Sequence, residues 1–257
     1  MKKGKHKISI KTGRLKTKKG VVKQEKGSEE RMLTGVPGLD EIMGGGFEKN
    51  SINLVSGGAG TGKSIFAMQF IVNGVKKFNE PGVFITFEEE KGKIQKHMLK
   101  MGWDLKKLEA QGKFAVIEYT PDNVRKMLAE GGGEVDSVIE KIKAKRVVLD
   151  SLTAFALLFK SEFARRKAFL DLFKLIEKWG CTALLVVEHE SDMERHHSQD
   201  VEFEADGVIL LYYLRKGDVR SRALEILKLR GSKHSSRIFP MKITDDGIKI
   251  YPDEAVF

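Results

Sequence analysis

The sequence predicts an α/β fold: a mostly parallel central sheet with helices on both faces and an antiparallel extension at its C-terminal end. Three observations carry that prediction. Apolar runs of strand length alternate with segments of helical period from residue 52 to residue 189, and strands apolar on both faces belong in a parallel sheet covered twice. A glycine-rich stretch, VSGGAGTGKSIFAMQF (55–70), joins the first such run to the first helix. After Asp206 the helical period stops, and strand-like runs follow one another across short turn-forming segments.

The elements follow in order. INLVS (52–56) is a short apolar run bounded by polar Ser51 and glycine, hence a buried strand. Lys63 to Lys77 places Ile65, Phe66, Phe70 and Val75 at helical spacing. GVFITFEEE (82–90) is a second strand, ending in carboxylates. KGKIQKHMLKMGW (91–103) is a helix with Ile94, Met98 and Met101 on one face and Gly102 as its stop. KFAVIEY (113–119) is a strand. The next stretch, PDNVRKMLAEGGGE, ends in three glycines and is expected to be a mobile connection. Residues 134–145 form an amphipathic helix with Val135, Val138, Ile139 and Ile142 on one stripe. RVVLDSL (146–152) is a strand, 163–180 a helix stopped by Gly180, and CTALLVVEH (181–189) a further strand. The turns RKGD and DDG then punctuate an antiparallel meander. No internal repeat is present, so the expected organisation is an N-terminal arm, 1–33, and one domain, 34–257.

Composition narrows the function classes. At 257 residues and 41% hydrophobic content the chain is long enough for a substantial core. No apolar run approaches the roughly 18 residues of a membrane span, so no membrane partner is expected. The N-terminus is too basic and too poor in apolar residues for a secretory signal. Cys181 is the one cysteine and has no internal partner, which suits a reducing, cytoplasmic setting. The net charge of +10 is concentrated in residues 1–33, which hold 12 Lys/Arg against 3 Asp/Glu. This arm reads first as a solvated tail that aids solubility. Nucleic acid is its alternative partner, through polyanion attraction that fades with salt.

The glycine-rich stretch contains Gly57-x-x-x-x-Gly62-Lys63-Ser64, the pattern of a phosphate-binding loop. Glycines let the backbone curl so that successive N–H groups face phosphate oxygens. The helix starting at Lys63 aims the positive end of its dipole at the same point. Lys63 reaches the β- and γ-phosphates, and the Ser64 hydroxyl joins a Mg²⁺ shell. Hydrolysis needs more. Asp150, ending RVVLD, has the type and position of the acid on the metal side. Glu88 and Glu89, at the carboxyl edge of the second strand, are candidates to orient the attacking water. Two adjacent strand carboxylates face opposite ways, so at most one is expected to point straight at the γ-phosphate. Lys228 and Arg230, two apart on an expected strand, project from one face. They are read either as a solvated basic edge or as cations for transition-state charge.

These motifs resemble the KaiC family of RecA-like P-loop ATPases. The likeness runs through TGVPGLDEIMGGGFEKNSINLVSGGAGTGKSIFAMQFIVNG (34–74), GVFITFEEE, RVVLDSLT and, most selectively, RALEILKLRGSKHSSRIFPMKITDDGIKIYP (222–252). It covers about 34–252 and corresponds to one KaiC repeat. It implies a RecA-like P-loop NTPase fold, homo-oligomeric rings (expected hexamers) with ATP between subunits, and ATP and Mg²⁺ as cofactors. On the matching positions, Gly60, Thr61, Gly62, Lys63, Ser64 and Ile65 would hold the nucleotide, with Ser64 and Asp150 on the metal. Glu88, Glu89, Lys63 and Arg230 would be the catalytic set. Lys228, Arg230 and His234 would reach the neighbouring subunit's nucleotide, with Leu229, Ser232 and Asp245 near its base or sugar.

The function expected is therefore Mg²⁺-dependent, slow ATP hydrolysis in a regulatory or signalling ring with an unknown protein partner. Two alternatives stand beside it. One is a DNA-binding ATPase modulating recombination or repair; the other is a non-catalytic nucleotide-sensing scaffold. The resemblance also has gaps. Phosphorylated Ser/Thr sites of clock KaiC precede the strand near DGVILL, where this chain has Glu202, Phe203 and Glu204, with Ser198 the nearby hydroxyl. Autokinase activity at those sites is not expected, nor is a clock role. His189, His196 and His197 lack a matching ligand set and read as a polar loop. Met98 and Met101 read as core, and Phe155, Phe159 and Phe163 as packing residues.

Overall fold

The computed structural model describes residues 31–188 and 200–256. The first half of the chain runs β1 (Arg31–Met32), α1 (Leu39–Ile42), β2 (Phe47–Glu48), β3 (Ile52–Gly57), α2 (Lys63–Phe78), β4 (Gly82–Thr86), α3 (Lys91–Leu99), α4 (Leu105–Ala110), β5 (Phe114–Glu118) and α5 (Pro121–Glu130). The second half runs α6 (Glu134–Ile142), β6 (Arg146–Asp150), α7 (Leu152–Leu157), α8 (Glu162–Trp179), β7 (Thr182–Glu188), α9 (Asp200–Glu204), β8 (Gly207–Lys216), β9 (Val219–Leu229), β10 (Ile238–Thr244) and β11 (Gly247–Ile250).

Among the described residues the main sheet has nine strands, in the order β11-β10-β9-β8-β3-β7-β6-β4-β5. From β5 to β8 every pairing is parallel; from β8 to β11 every pairing is antiparallel. Strand β3 lies between β7 and β8, with both faces buried. Its residues alternate between two cores: Val55 packs with Phe66 and Phe70 of α2, while Leu54 packs with the set containing Phe155 and Ile176. Helices therefore cover both faces, as the apolar strands require.

Arg146 fixes how α2 sits on the sheet. It is fully buried, with Nε donating to Glu80 Oε2 at 2.9 Å, Nη1 to Phe70 O at 2.8 Å and Nη2 to Leu33 O at 2.8 Å. Its guanidinium also stacks 4.4 Å from the Phe70 ring centroid. All five donors of a buried guanidinium cannot be left dry, so these acceptors define its pocket.

Several local expectations are corrected. The stretch expected as a mobile connection contains α5: Pro121 opens it, and Val124 and Met127 are buried one turn apart. The glycines act only afterwards, Gly131 ending the helix in the left-handed region at φ +68°. The second strand stops at Thr86, so Glu88–Glu90 lie beyond it. The strand expected to reach Leu152 ends at Asp150, because Ser151 caps α7 by accepting from Ala154 N. The expected 91–103 helix ends at Leu99, and Asp104 caps a separate helix, α4, by accepting from Lys107 N. Two residues counted within the expected arm pack on the fold: Met32 is buried, and Arg31 donates to Gly46 O and Gly231 O. Residues 1–30 lie outside the described residues. Phe155 is fully buried and Phe159 stacks 5.2 Å from it, but Phe163 is 81% exposed. Met98 and Met101 pack in the core as expected. His189, His196, His197 and Ser198 lie outside the described residues.

Candidate functional site

The site begins at the carboxyl end of β3. Gly57 has no room for a side chain, since a Cβ there would stand 2.4 Å from Leu211 O. Gly60 and Gly62 take φ of +75° and +104°, which lets the loop curl. Thr61 is buried, and its hydroxyl donates to Gly58 O at 2.8 Å. Gly62 caps α2 without a side-chain acceptor, and the first turn of α2 contains no acid. The N–H groups there are thus left for an anion from outside. Lys63 is 8% exposed and donates to Gly58 O at 3.0 Å. Burial lowers its pKa, against the opposing pull of Glu188, Asp150 and Glu88.

Beside the loop is a cavity of about 120 Å³ whose polar lining is Lys63, Ser64, Thr86, Glu88, Glu89, Asp150 and Glu188. Asp150 ends β6, paired with Thr86 at the end of β4. Burial pushes its carboxyl up to about 6, while a hydrogen bond with Ser64 and the charge of Lys63 pull it down. Two hard oxygen donors in contact at a loop built for phosphate fit a Mg²⁺ ion.

Glu88 and Glu89 both line this cavity, which corrects the expectation of opposite-facing strand carboxylates. Strand alternation does not apply, because the backbone bends around Thr86. The Thr86 hydroxyl accepts from the N–H of Glu88 (3.4 Å) and Glu89 (3.0 Å) and donates to Glu89 O (3.1 Å). The two acids differ in their partners. Glu89 is paired with His97 Nδ1 at 3.2 Å and Lys93 Nζ at 3.7 Å. Glu88 has no ion pair or side-chain hydrogen bond among the described residues.

Two residues at the site were missed in the sequence. Glu188 ends β7 opposite Gly57, its N–H donating to Thr153 Oγ1 at 2.9 Å. The signal was available, since it is an acid ending an apolar strand, like Asp150. Arg222 donates from Nε to Gly60 O at 3.0 Å and stacks 4.4 Å from the Tyr213 ring. Nothing local marks it; only the β8–β9 register (Tyr213 opposite Arg222) brings it there. Ile65 is half-buried against the core beside α2.

The remaining predicted residues are elsewhere. Leu229 pairs with Gly207 at the start of β8, and Arg230 N donates to Asp206 O. Asp206 in turn receives the N–H of Ile52 on its carboxylate, at the start of β3. The phosphate-binding loop follows the other end of β3, roughly 17 Å away at about 3.3 Å per residue. Lys228, Leu229, Arg230, Ser232 and His234 thus belong to the opposite edge of the sheet from their own loop. Lys228 Nζ donates to Glu202 O and Phe203 O, both at 3.1 Å; Arg230 donates to Phe203 O at 2.9 Å and Asp206 Oδ1 at 3.2 Å. The Leu229 side chain is buried in the core, so its backbone alone is available to a ligand. Ser232 Oγ donates to Met43 O at 2.9 Å, and His234 Nδ1 lies 3.1 Å from Ser235 O. Asp245 does not join this group. It lies in the β10–β11 turn at the loop's own edge, two residues after Ile243, whose Cδ1 would meet a Cβ on Gly62 at 3.1 Å.

The pattern of the KaiC ATPase family matches residues 32–255, spanning both groups. The chain belongs to the KaiC ATPase family. Among its relatives, a UPF0273 protein of Methanocaldococcus jannaschii is 36% identical over 244 residues, covering 88% of this chain and 98% of the relative. The circadian clock oscillator protein KaiC of Synechococcus elongatus is 36% identical over 230 residues; there the match covers 86% of this chain but 44% of the relative. The crystal structure of a KaiC-like protein from Pyrococcus horikoshii superposes with a TM-score of 0.78 at 36% identity, covering 87% of this chain and 99% of that one. The expected α/β, RecA-like fold of the KaiC family is therefore the observed one, and an ATP-binding ATPase domain is the coarse function that membership carries. No described helix is long and apolar enough to cross a membrane.

Proposed function

We propose that the chain is a Mg²⁺-dependent ATPase that hydrolyses ATP slowly at subunit interfaces of a homo-oligomeric ring, as a regulatory or signalling module in the cytoplasm. One observation carries the reading. The Lys228–Arg230 pair lies at the edge of the sheet opposite its own phosphate-binding loop, so a phosphate it contacts belongs to another copy of the chain. A heterologous contact of this kind, loop edge to cationic edge, closes into a ring when the rotation between copies allows.

Within one interface the work divides by residue. Loop N–H groups, the α2 N-terminus and Lys63 bind and orient the polyphosphate. Ser64 and Asp150 would hold Mg²⁺, which when bound neutralises charge on the β- and γ-phosphates. Glu88, free of the tethers that hold Glu89, is the group that takes the proton of the attacking water. Arg230 from the neighbour supplies positive charge to the equatorial oxygens as they become more negative. Asp245 is assigned to the nucleotide of its own subunit, on account of its edge. Arg222 acts as a positioning residue, holding the Gly60 carbonyl outward so that the loop N–H groups face in.

Size-exclusion light scattering, with ATP hydrolysis measured on the same samples, tests this reading. Wild type is expected to form a ring with Mg²⁺–ATP and to hydrolyse it. Arg230→Ala is expected to lose about 10³-fold in turnover. A wild-type monomer that hydrolyses ATP at the same rate across a wide concentration range contradicts the shared site.

A further inference from the structure

Helix α9 is five residues long, and its C-terminal carbonyls are the acceptors of the two cations assigned to the neighbour's nucleotide. Lys and Arg at a helix C-terminus are favourable for its dipole and satisfy carbonyls that lack intrahelical partners. Here they are spread over three acceptors: Lys228 serves Glu202 O and Phe203 O, and Arg230 serves Phe203 O through Nη2 and the Asp206 carboxylate through Nη1. A phosphate that engages an arginine in two-pronged fashion takes a parallel pair of N–H groups, most directly those of Nη1 and Nη2. The two sets of acceptors therefore compete for the same atoms.

We propose that Lys228 and Arg230 form a two-position latch, capping α9 in the free subunit and releasing it when the neighbouring subunit's nucleotide phosphate takes their donors. The proposal rests on the shared-site reading above and adds a consequence to it: nucleotide occupancy of one subunit is transmitted to α9 of the next. Two further features suit α9 to that role. Its Phe203 is 65% exposed, while Val201 is buried and lines a small cleft together with Phe169, Leu170 and Phe173 of α8. Release of the C-terminal end thus moves an aromatic side chain at the surface while Val201 keeps the helix seated. Desolvation and the nearby Arg230 charge lower the Lys228 pKa, with Asp206, Glu204 and Glu202 pulling the other way. A phosphate oxygen accepts from a cation more strongly than a neutral carbonyl does.

The experiment uses the full chain with Mg²⁺ and a non-hydrolysable ATP analogue. Assembly is followed by light scattering, and backbone amide exchange across 200–206 by mass spectrometry. The latch predicts faster exchange in this segment on nucleotide-driven assembly. It also predicts that Arg230→Ala and Lys228→Ala, checked for folding by circular dichroism, exchange faster there without nucleotide. Asp206→Asn removes a charged competitor for Arg230 yet keeps an oxygen for Ile52 N. It is expected to lower the analogue concentration for half-maximal assembly about tenfold, the lower end of the effect of one charge-assisted hydrogen bond. Rings that assemble with no change, or with slower exchange, at 200–206 overturn the latch and leave the shared site standing. An Asp206→Asn protein that assembles no more readily than wild type also overturns it. Arg230→Ala protein that assembles and hydrolyses ATP like wild type overturns the shared site, and the latch with it.

Discussion

Glu88 and Glu89 are chain neighbours with different surroundings, and that difference makes a prediction at the scale of the residue. His97 and Lys93 hold the Glu89 carboxylate toward α3, so Glu88→Gln is expected to reduce single-turnover hydrolysis by about 10²–10⁴-fold. Glu89→Gln is expected to cost at least tenfold less, with ATP binding kept in both. Asp150 gives a prediction of opposite sign for stability and activity. Its pKa is raised by burial from an ordinary 3.8 to about 6. A raised carboxyl favours the folded state while protonated, and that contribution is lost as pH rises through about 6. At pH 7 without Mg²⁺, Asp150→Asn should therefore melt higher, by on the order of 1–3 kcal/mol, while losing Mg²⁺-dependent turnover. Thermal melts in a chelating buffer, beside turnover assays, check both halves. The loop residues and Asp150 were legible in the sequence because their chemistry is local: a glycine pattern between strand and helix, and an acid at a strand end. Glu188 obeys the same rule and was readable. Arg222 was not, because its place depends on pairing across a hairpin.

Among the elements, α2 ties the loop to β11 and, through Asn73 and Lys77, to the Gly35 carbonyl before α1. Gln69 mimics a backbone strand partner, with Nε2 donating to Ile248 O at 2.9 Å and Oε1 accepting from Ile248 N at 2.6 Å. Gln69→Leu leaves both β11 groups buried and unpaired, so a loss of about 2–4 kcal/mol in chemical denaturation is expected. Arg146→Met leaves Glu80 beside a buried, uncompensated site and is expected to cost about 3–5 kcal/mol. Adding Glu80→Gln should recover part of that loss. Long, strongly periodic elements such as α2, α6 and α8 were legible from their apolar stripes. Shorter ones were not. Helix α5 was hidden by the glycines that follow it, although Val124 and Met127 already had helical spacing. Helix α7 depends on a cap, Ser151, that the strand reading ran across, and α4 on Asp104, which lies just past the stop read at Gly102.

At the scale of the molecule, sheet order decides function. The alternation of apolar runs and helices gave a parallel sheet, and the turns after Asp206 gave its antiparallel extension. Neither gave the order of strands, which arises from crossovers between distant segments. That order places β3 beside β8 and sets Arg230 at the edge opposite Gly62. It also moves Asp245 away from the residues with which the family resemblance grouped it. On the proposed shared site, the half at each edge is completed by a second copy. The most direct test mixes two inactive proteins. Lys63→Ala lacks a working loop but keeps its cationic edge, and Arg230→Ala has the reverse. In equimolar mixed rings, about a quarter of interfaces combine an intact loop with an intact arginine. Hydrolysis is predicted to return to about that fraction of wild type after mixing. A mixture that assembles into mixed rings yet stays as inactive as its parts contradicts the shared site.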